Sequence, residues 1–499
     1  MRCKKAFVSV CVFSVCFLIL SAATYLNKTW DRMIDDVLRV KMTITPENNE
    51  ILDFWADPPM HSTFDIYVWN VTNSKEVLSN GSKPILEEIG PIRYQNVVAR
   101  TNVSFTSDQS VIYQNSLAFI LDETSPVPEN STIVTLNVPY VIIMKQLDIL
   151  PKFVRGLIIS LMKGNKYDVF MKRTAGEIIW GYEDPILEKL HSLVPSLCPK
   201  PGFGWFMDMN NSYSFPFDVE TGERGMKNWT YIKSWKGMEK LDIWESAPAN
   251  SIIGTDGFAV PPSVEKGQEL NVFFDATCRS FKLKFVEHAT SRTWIFKSDP
   301  DTWKSVYDVP ENQGYCVDGK CSKHGIINME KCTEVVQGVS APIFASQPHF
   351  LAGDPSLVAD FQGVQPKETL HEFYFLEVDP LTGFMPNVKR RMQLNVGFDR
   401  KVLSKKLKLN QSDDQIIFPT VWFEQSVVPK KFFEKQMITS RNLIIFTLNL
   451  STTLFIISVV GLLFSAPLMT SSSAKVTASD NHEYQQVSEN SSQETLQEN

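Results

Sequence analysis

Apolar and polar positions alternate along much of the chain. From Phe64 to Asn70 (FDIYVWN) and from Ser110 to Leu121, β-branched and aromatic residues alternate with polar ones, the period-two pattern of half-buried strands. Comparable runs recur at Leu270–Phe274, Phe281–Val286, Thr293–Phe296, Glu372–Val378 and Arg391–Gly397. Asn80-Gly81, Gly90-Pro91 and the pair Pro126/Pro128 punctuate them as turns. Short strands with frequent turns predict an antiparallel, β-rich body.

Pro139–Arg173 breaks the pattern and reads as helical. On a wheel of about 100° per residue, Lys152, Arg155, Lys163 and Lys166 share one arc, while Val154, Leu157, Ile158 and Leu161 lie opposite. The segment carries seven basic side chains against Asp148 and Asp168, in a chain whose net charge is −7. A solvated helix face is the plain reading of such an arc. The concentration of positive charge in an acidic chain instead predicts a docking patch for anionic lipid, lipoprotein or an acidic protein surface.

Two apolar runs frame this body. Leu443–Leu468 holds no charge over a length that suffices to cross a bilayer, since about 20 apolar residues span its core. Ala6–Leu26 is the second, preceded by Arg2, Lys4 and Lys5, which hold that end in the cytosol. Ser21-Ala22-Ala23 offers a cleavage site, but the apolar run continues past it, so an uncleaved anchor is expected. The predicted organisation is a cytosolic stretch 1–5, a span 6–26, a large lumenal or extracellular domain 27–441, a span 443–468, and a tail 469–499. Both termini are then cytosolic, in a multi-pass protein of the plasma membrane or of membranes that cycle to lysosomes.

The compartment is supported twice. Glycosylation triplets begin at Asn70, Asn80, Asn102, Asn130, Asn210, Asn228 and Asn410, all within the large domain. Of its five cysteines, Cys278, Cys316, Cys321 and Cys332 cluster within 55 residues, which reads as two disulfides in an oxidising compartment, while Cys198 stands apart. Cys316, Cys321, His324 and Cys332 could be written as a zinc set, but glycosylation favours oxidised thiols, so no metal is expected. Thr470–Asn499, rich in Ser, Gln, Glu and Asn, predicts a disordered tail in which Tyr484-Gln-Gln-Val487 has the form of a tyrosine-based sorting signal. Cys3, among basic residues beside the membrane, is a site for lipidation.

Catalytic chemistry is missing from the sequence. Gly314-to-Cys321 has the glycine and lysine spacing of a phosphate loop, but Cys321 stands where Ser or Thr must hold magnesium. His371-Glu372 lacks the second histidine of a zinc-protease helix, and no Gly-x-Ser-x-Gly elbow occurs. The histidines of the large domain are scattered singly. The expectation is a protein that is not an enzyme, needs no cofactor and binds no nucleic acid, with self-association into a homo-oligomer left open.

Ordered blocks along the chain resemble the class B scavenger receptor family. They are Glu87–Arg93 (EEIGPIR), Ile179–Pro185 (IWGYEDP), Phe203–Phe206, Trp244-Glu245-Ser246, Gly254–Gly257, Pro261-Pro262 and Cys278-Arg279-Ser280. Pro348-His349-Phe350, Asp379–Gly383 and Arg391–Asn395 follow. The resemblance implies an antiparallel, barrel-like ectodomain with a hydrophobic tunnel, capped by a helical bundle where partners dock. It implies pairings Cys278–Cys332 and Cys316–Cys321, and it leaves Cys198 a buried or free thiol. It also implies a surface receptor that binds lipid or lipoprotein cargo and passes fatty acid, sterol or carotenoid to the membrane. A lysosomal trafficking receptor for a protein and a sensory-neuron co-receptor for lipid-like odorants are the other roles the family carries.

Overall fold

The computed structural model describes residues 29–446 apart from 148–149, 196–197, 334–340 and 400–414, with six single positions in the terminal segments. Most of the expected spans 6–26 and 443–468 lies outside the described residues, as do Cys3, Asn410, Tyr484 and Val487. Among the described residues no helix is long and apolar enough to cross a membrane. The chain divides into two units, Lys41–Lys435 and a second made of Met1–Val40 with Gln436–Asn499. Helix α1 (Thr29–Met42) begins in the second unit, and the backbone of 431–446 is helical.

The Lys41–Lys435 unit is built on one antiparallel sheet. After α2 (Asn49–Ala56) come β1 (Met60–Val71), α3 (Ser74–Asn80), β2 (Leu86–Phe105), β3 (Ser110–Leu121) and β4 (Thr132–Leu136). Helices α4 (Val138–Gln146) and α5 (Lys152–Gly164) precede β5 (Phe170–Thr174), α6 (Ala175–Trp180), β6 (Tyr182–Glu183) and α7 (Pro185–Leu193). Then follow β7 (Gly202–Phe203), β8 (Ser212–Tyr213), β9 (Phe217–Glu220), β10 (Ile232–Trp235), β11 (Leu270–Phe274), β12 (Arg279–His288) and β13 (Trp294–Ser298). The last are β14 (Ile326–Asn328), β15 (Ile343–Ser346), β16 (Tyr374–Val378), β17 (Asn387–Asp399) and β18 (Gln415–Pro429). The main path runs β10-β9-β3-β2-β1-β18-β17-β16-β13-β12-β11, with β8 on β3, and β15 joining β14 to β17.

The two ends of that path meet. Ile232 of β10 donates its N–H to the Gly254 carbonyl at 2.9 Å, and Thr255 exchanges main-chain bonds with Asn271 and Phe273 of β11 at 3.1 and 2.8 Å. A two-residue seam therefore bridges the two ends of the sheet and closes it into a barrel. Gly254 holds φ +97, and a Cβ there would collide with the Asn271 backbone, so the seam requires glycine. Beside it Asp256 is locked by two buried partners, with Tyr113 donating at 2.7 Å and Arg100 at 3.2 Å. Arg100 also donates to the Trp55 carbonyl at 2.5 Å.

Inward-facing Phe64, Ile66, Val68, Val388, Met392, Leu394, Val421 and Phe423 belong to the main core. The rings of Phe64, Phe119, Phe206 and Phe423 meet with centroids 4.8–5.8 Å apart. Met60 pairs with Pro429, so the chain enters and leaves the barrel at one end. At the other end Trp69, Val71, Phe398 and Phe418 join a separate core with α4 and α5. Helices cap this far end.

Local chemistry explains the cap. Asn137 accepts from the Tyr140 N–H ahead of Pro139, fixing the start of α4. Thr174 and Glu177 form a capping box for α6. Asp184 accepts from Ile186 and Leu187 N–H to start α7, and Tyr167 donates to the same carboxylate at 2.7 Å. Cys278–Cys332 and Cys316–Cys321 are disulfide-bonded, and Cys198 is a half-buried thiol donating to the Leu187 and Lys200 carbonyls. Burial pushes that thiol's pKa up.

Candidate functional site: the helical cap

The docking patch expected on 139–173 is reshaped by the fold. Residues 170–174 form β5, which pairs with β4, so Lys172 and Arg173 leave the helical segment. Arg173 lies over the Tyr182 ring at 4.4 Å, and Lys145 is tied to Glu330 at 2.7 Å. Neither is left for a docking surface.

Helix α5 is also turned relative to the wheel. Its buried side carries Ile158 and Met162, flanked by the partly buried Val154, Ile159 and Leu161. Arg155 sits half-buried at the edge of this side, whereas Lys152, Lys163 and Lys166 are exposed. Leu157, expected on the buried face, is 42% exposed, and Phe153 is 84% exposed. The outward surface therefore carries three lysines beside two large apolar side chains at i and i+4. Gly156 adds no bulk between them, with nothing within 4 Å of where its Cβ would lie.

Lysines next to protruding Phe and Leu form an amphipathic contact of the kind that seats a helix at the interface of a bilayer or lipid particle. Leu193, at the end of α7 in the same cap, is a further apolar residue in the open, at 60% exposure.

The glycosylation asparagines differ in availability. Asn80, Asn102, Asn130, Asn210 and Asn228 are exposed. Asn80 accepts from Ser82 through Oδ1, which leaves its Nδ2 outward. Asn70 is half-buried in β1, donating through Nδ2 to Glu87 at 3.2 Å and accepting from Val134 N–H at 2.9 Å. A glycan on Nδ2 would have to displace that bond.

A second cluster, unread in the sequence, lies on the outside of the barrel under residues 363–372. His349 and His371 stack there with centroids 4.1 Å apart and planes at 9°. His349 Nε2 meets Glu88 Oε2 at 2.6 Å, and Trp422 donates to the same oxygen at 2.8 Å. Burial raises the Glu88 pKa, but hydrogen bonds from His349 and Trp422 outweigh it, and the net shift is downward. Twenty-two residues separate the histidines in sequence, so only tertiary structure brings them together.

An antiparallel sheet closed on itself, with helices over one end and two disulfides, defines a β-rich domain. Residues 12–470 match the CD36 family model, and the chain belongs to that family. It is 28% identical to lysosome membrane protein 2 of Rattus norvegicus over 478 residues, covering 93% of this chain and 94% of the relative. Against scavenger receptor class B member 1 of Mus musculus it is 33% identical over 383 residues, covering 74% and 72% of the two chains. Human lysosome membrane protein 2 is 27% identical over 472 residues, covering 93% and 94%.

Proposed function

We propose that this protein is a membrane-anchored receptor, with spans at 6–26 and 443–468, that docks lipid or lipoprotein particles on its helical cap and passes hydrophobic ligand through the barrel towards the bilayer. The observation that carries the reading is the exposure of Phe153 and Leu157 beside Lys152, Lys163 and Lys166. Apolar burial supplies the driving force, about 25 cal/mol per Å², and no chemical step is required, so the protein acts as a receptor and not an enzyme.

The conduit is supported by the aromatic and aliphatic inward face of the barrel. Phe64, Phe119, Phe206 and Phe423 pack closely at one level, so a ligand passing there requires these rings to turn. Steady-state residence at the surface or in acidified compartments both fit relatives named as a scavenger receptor and as a lysosome membrane protein.

The test is capture of fluorescent lipid vesicles by cells displaying the full chain or a cap variant. Loss of capture on replacing Phe153 and Leu157 by Ser supports lipid docking. Unchanged capture by a normally displayed variant refutes it.

A further inference from the structure

We propose that His371, stacked on His349, forms an acid-operated clasp, which holds the strap 363–372 on the barrel at neutral pH and frees it on acidification. The two rings are committed in the same way. Gln365 donates its N–H to His349 Nδ1 at 3.1 Å, and Lys367 donates its N–H to His371 Nδ1 at 3.0 Å. A nitrogen that accepts carries no proton, so each neutral ring holds its proton on Nε2, and His349 donates a hydrogen bond from Nε2–H to Glu88 Oε2. With Nε2 protonated no lone pair is left for a cation, so Glu88, His349 and His371 are set for protons rather than a metal.

A second proton on His371 must enter at Nδ1. It would then face a main-chain N–H, turning an attraction into a contact between two donors, with positive charge placed against the stacked partner ring. Glu88 from β2 favours the charged form, while Arg391 from β17 and Lys367 of the strap oppose it. The neighbouring carboxylates are engaged elsewhere: Glu424 of β18 pairs with Arg391 and Lys389, and Glu372 with Lys297. Tyr67 of β1 stacks on Trp422 and carries no charge at these pH values, its pKa being raised by burial. Burial and the neighbouring imidazole hold the His371 pKa down to about 4.

The clasp has something to release. Residues 365–370 are all exposed, so the Gln365–His349 bond and the buried His371 ring stacked on His349 carry much of the strap's attachment, while the Lys367–His371 bond closes the strap on itself. His349, Phe350 and Ala352 hold φ of +55, +56 and +53, a strained region for such side chains, and His349 N–H is anchored on Gln393 Oε1 at 3.0 Å. Upstream, Phe361 lies 5.2 Å from Phe418 in the core beneath the cap, so a freed strap loosens the cap's floor. Acid is thereby coupled to the far end of the barrel.

Hydrogen exchange of the full chain in nanodiscs, at pH 7.4 and 5.0 and corrected for intrinsic rates, tests this. A ring held at about 4 when clasped and near 6.5 when free predicts a loss of protection at Gln365 and Lys367 of roughly 25-fold. Equal protection of 363–372 at both pH values overturns the proposal, and this needs no variant. In His371→Asn the amide oxygen replaces Nδ1 as acceptor but takes up no proton, so the strap should stay protected at pH 5.0. An acid loss in that variant equal to wild type also overturns the proposal.

Discussion

Replacing Phe153 and Leu157 together by Ser separates lipid docking from simple charge attraction. Full burial of such a side chain stabilises by about 1.5–3 kcal/mol. Phe153 is 84% exposed and Leu157 42%, so their entry into an acyl boundary contributes about 2 and about 1 kcal/mol. Losing about 3 kcal/mol weakens vesicle capture roughly 100-fold, and because the term is apolar the loss persists at high salt. Changing Lys152, Lys163 and Lys166 to Gln removes about 1 kcal/mol per charge near an anionic surface, a comparable loss. That loss should fade as ionic strength rises and the Debye length falls to about 8 Å. Arg155→Gln should change capture little, because Arg155 is half-buried at the core edge. The assay is binding of fluorescent neutral and anionic vesicles to cells displaying each variant, titrated with salt. Salt-sensitive loss in the Ser variant, or no loss in either variant, would refute the reasoning.

Other outcomes follow from the barrel and its surface. Asp256→Asn leaves the Arg100 guanidinium buried without its counter-charge, at a cost of about 3–5 kcal/mol, read as a lower unfolding midpoint in denaturant. Gly254→Ala should destabilise the domain by disrupting the seam, whereas Gly156→Ala, in open space on α5, should not, as thermal unfolding will show. Glycopeptide mass spectrometry should find Asn80, Asn130 and Asn228 occupied and Asn70 bare. His371 binds its proton more weakly folded than unfolded, so its contribution is full above pH 6.5 and is lost as pH falls towards 4. The amount is about 3 kcal/mol, and His371→Asn should flatten stability against pH across that window.

The strands were legible where side chains alternate without interruption. Ser110–Leu121 coincides with β3, whose buried positions alternate over much of its length, and Leu270–Phe274 coincides with β11, a short apolar run with only Asn271 left half-buried. Gly90-Pro91 reads as a turn but lies inside β2, at a register shift against Ile66 and Val68 where close approach of the Tyr67 ring requires glycine. Strand β18 gave no alternating signal because it is buried on both faces over most of its length, with Pro419 and Pro429 suggesting breaks. The wheel found α5 but not its rotation, since Ile158 and Met162 are buried in a core shared with α4 and with strand ends far off in sequence. Net charge drew attention to seven basic residues, and the fold withdraws Lys145 and Arg173 by pairing them. The histidine pair carried no local signal, because His371 comes from the strap and His349 from the turn well before it, and the two meet over β2 and β18.

The central claim is that the barrel takes up lipid from particles held at its cap. Its most direct test uses the full chain in nanodiscs of a single synthetic phospholipid, incubated with lipoprotein, washed, extracted and measured by lipid mass spectrometry. The account predicts about one retained molecule per chain of a lipid class absent from the disc, and far less from the Phe153→Ser/Leu157→Ser variant. Recovery of disc phospholipid alone, from protein with both disulfides intact, would contradict it.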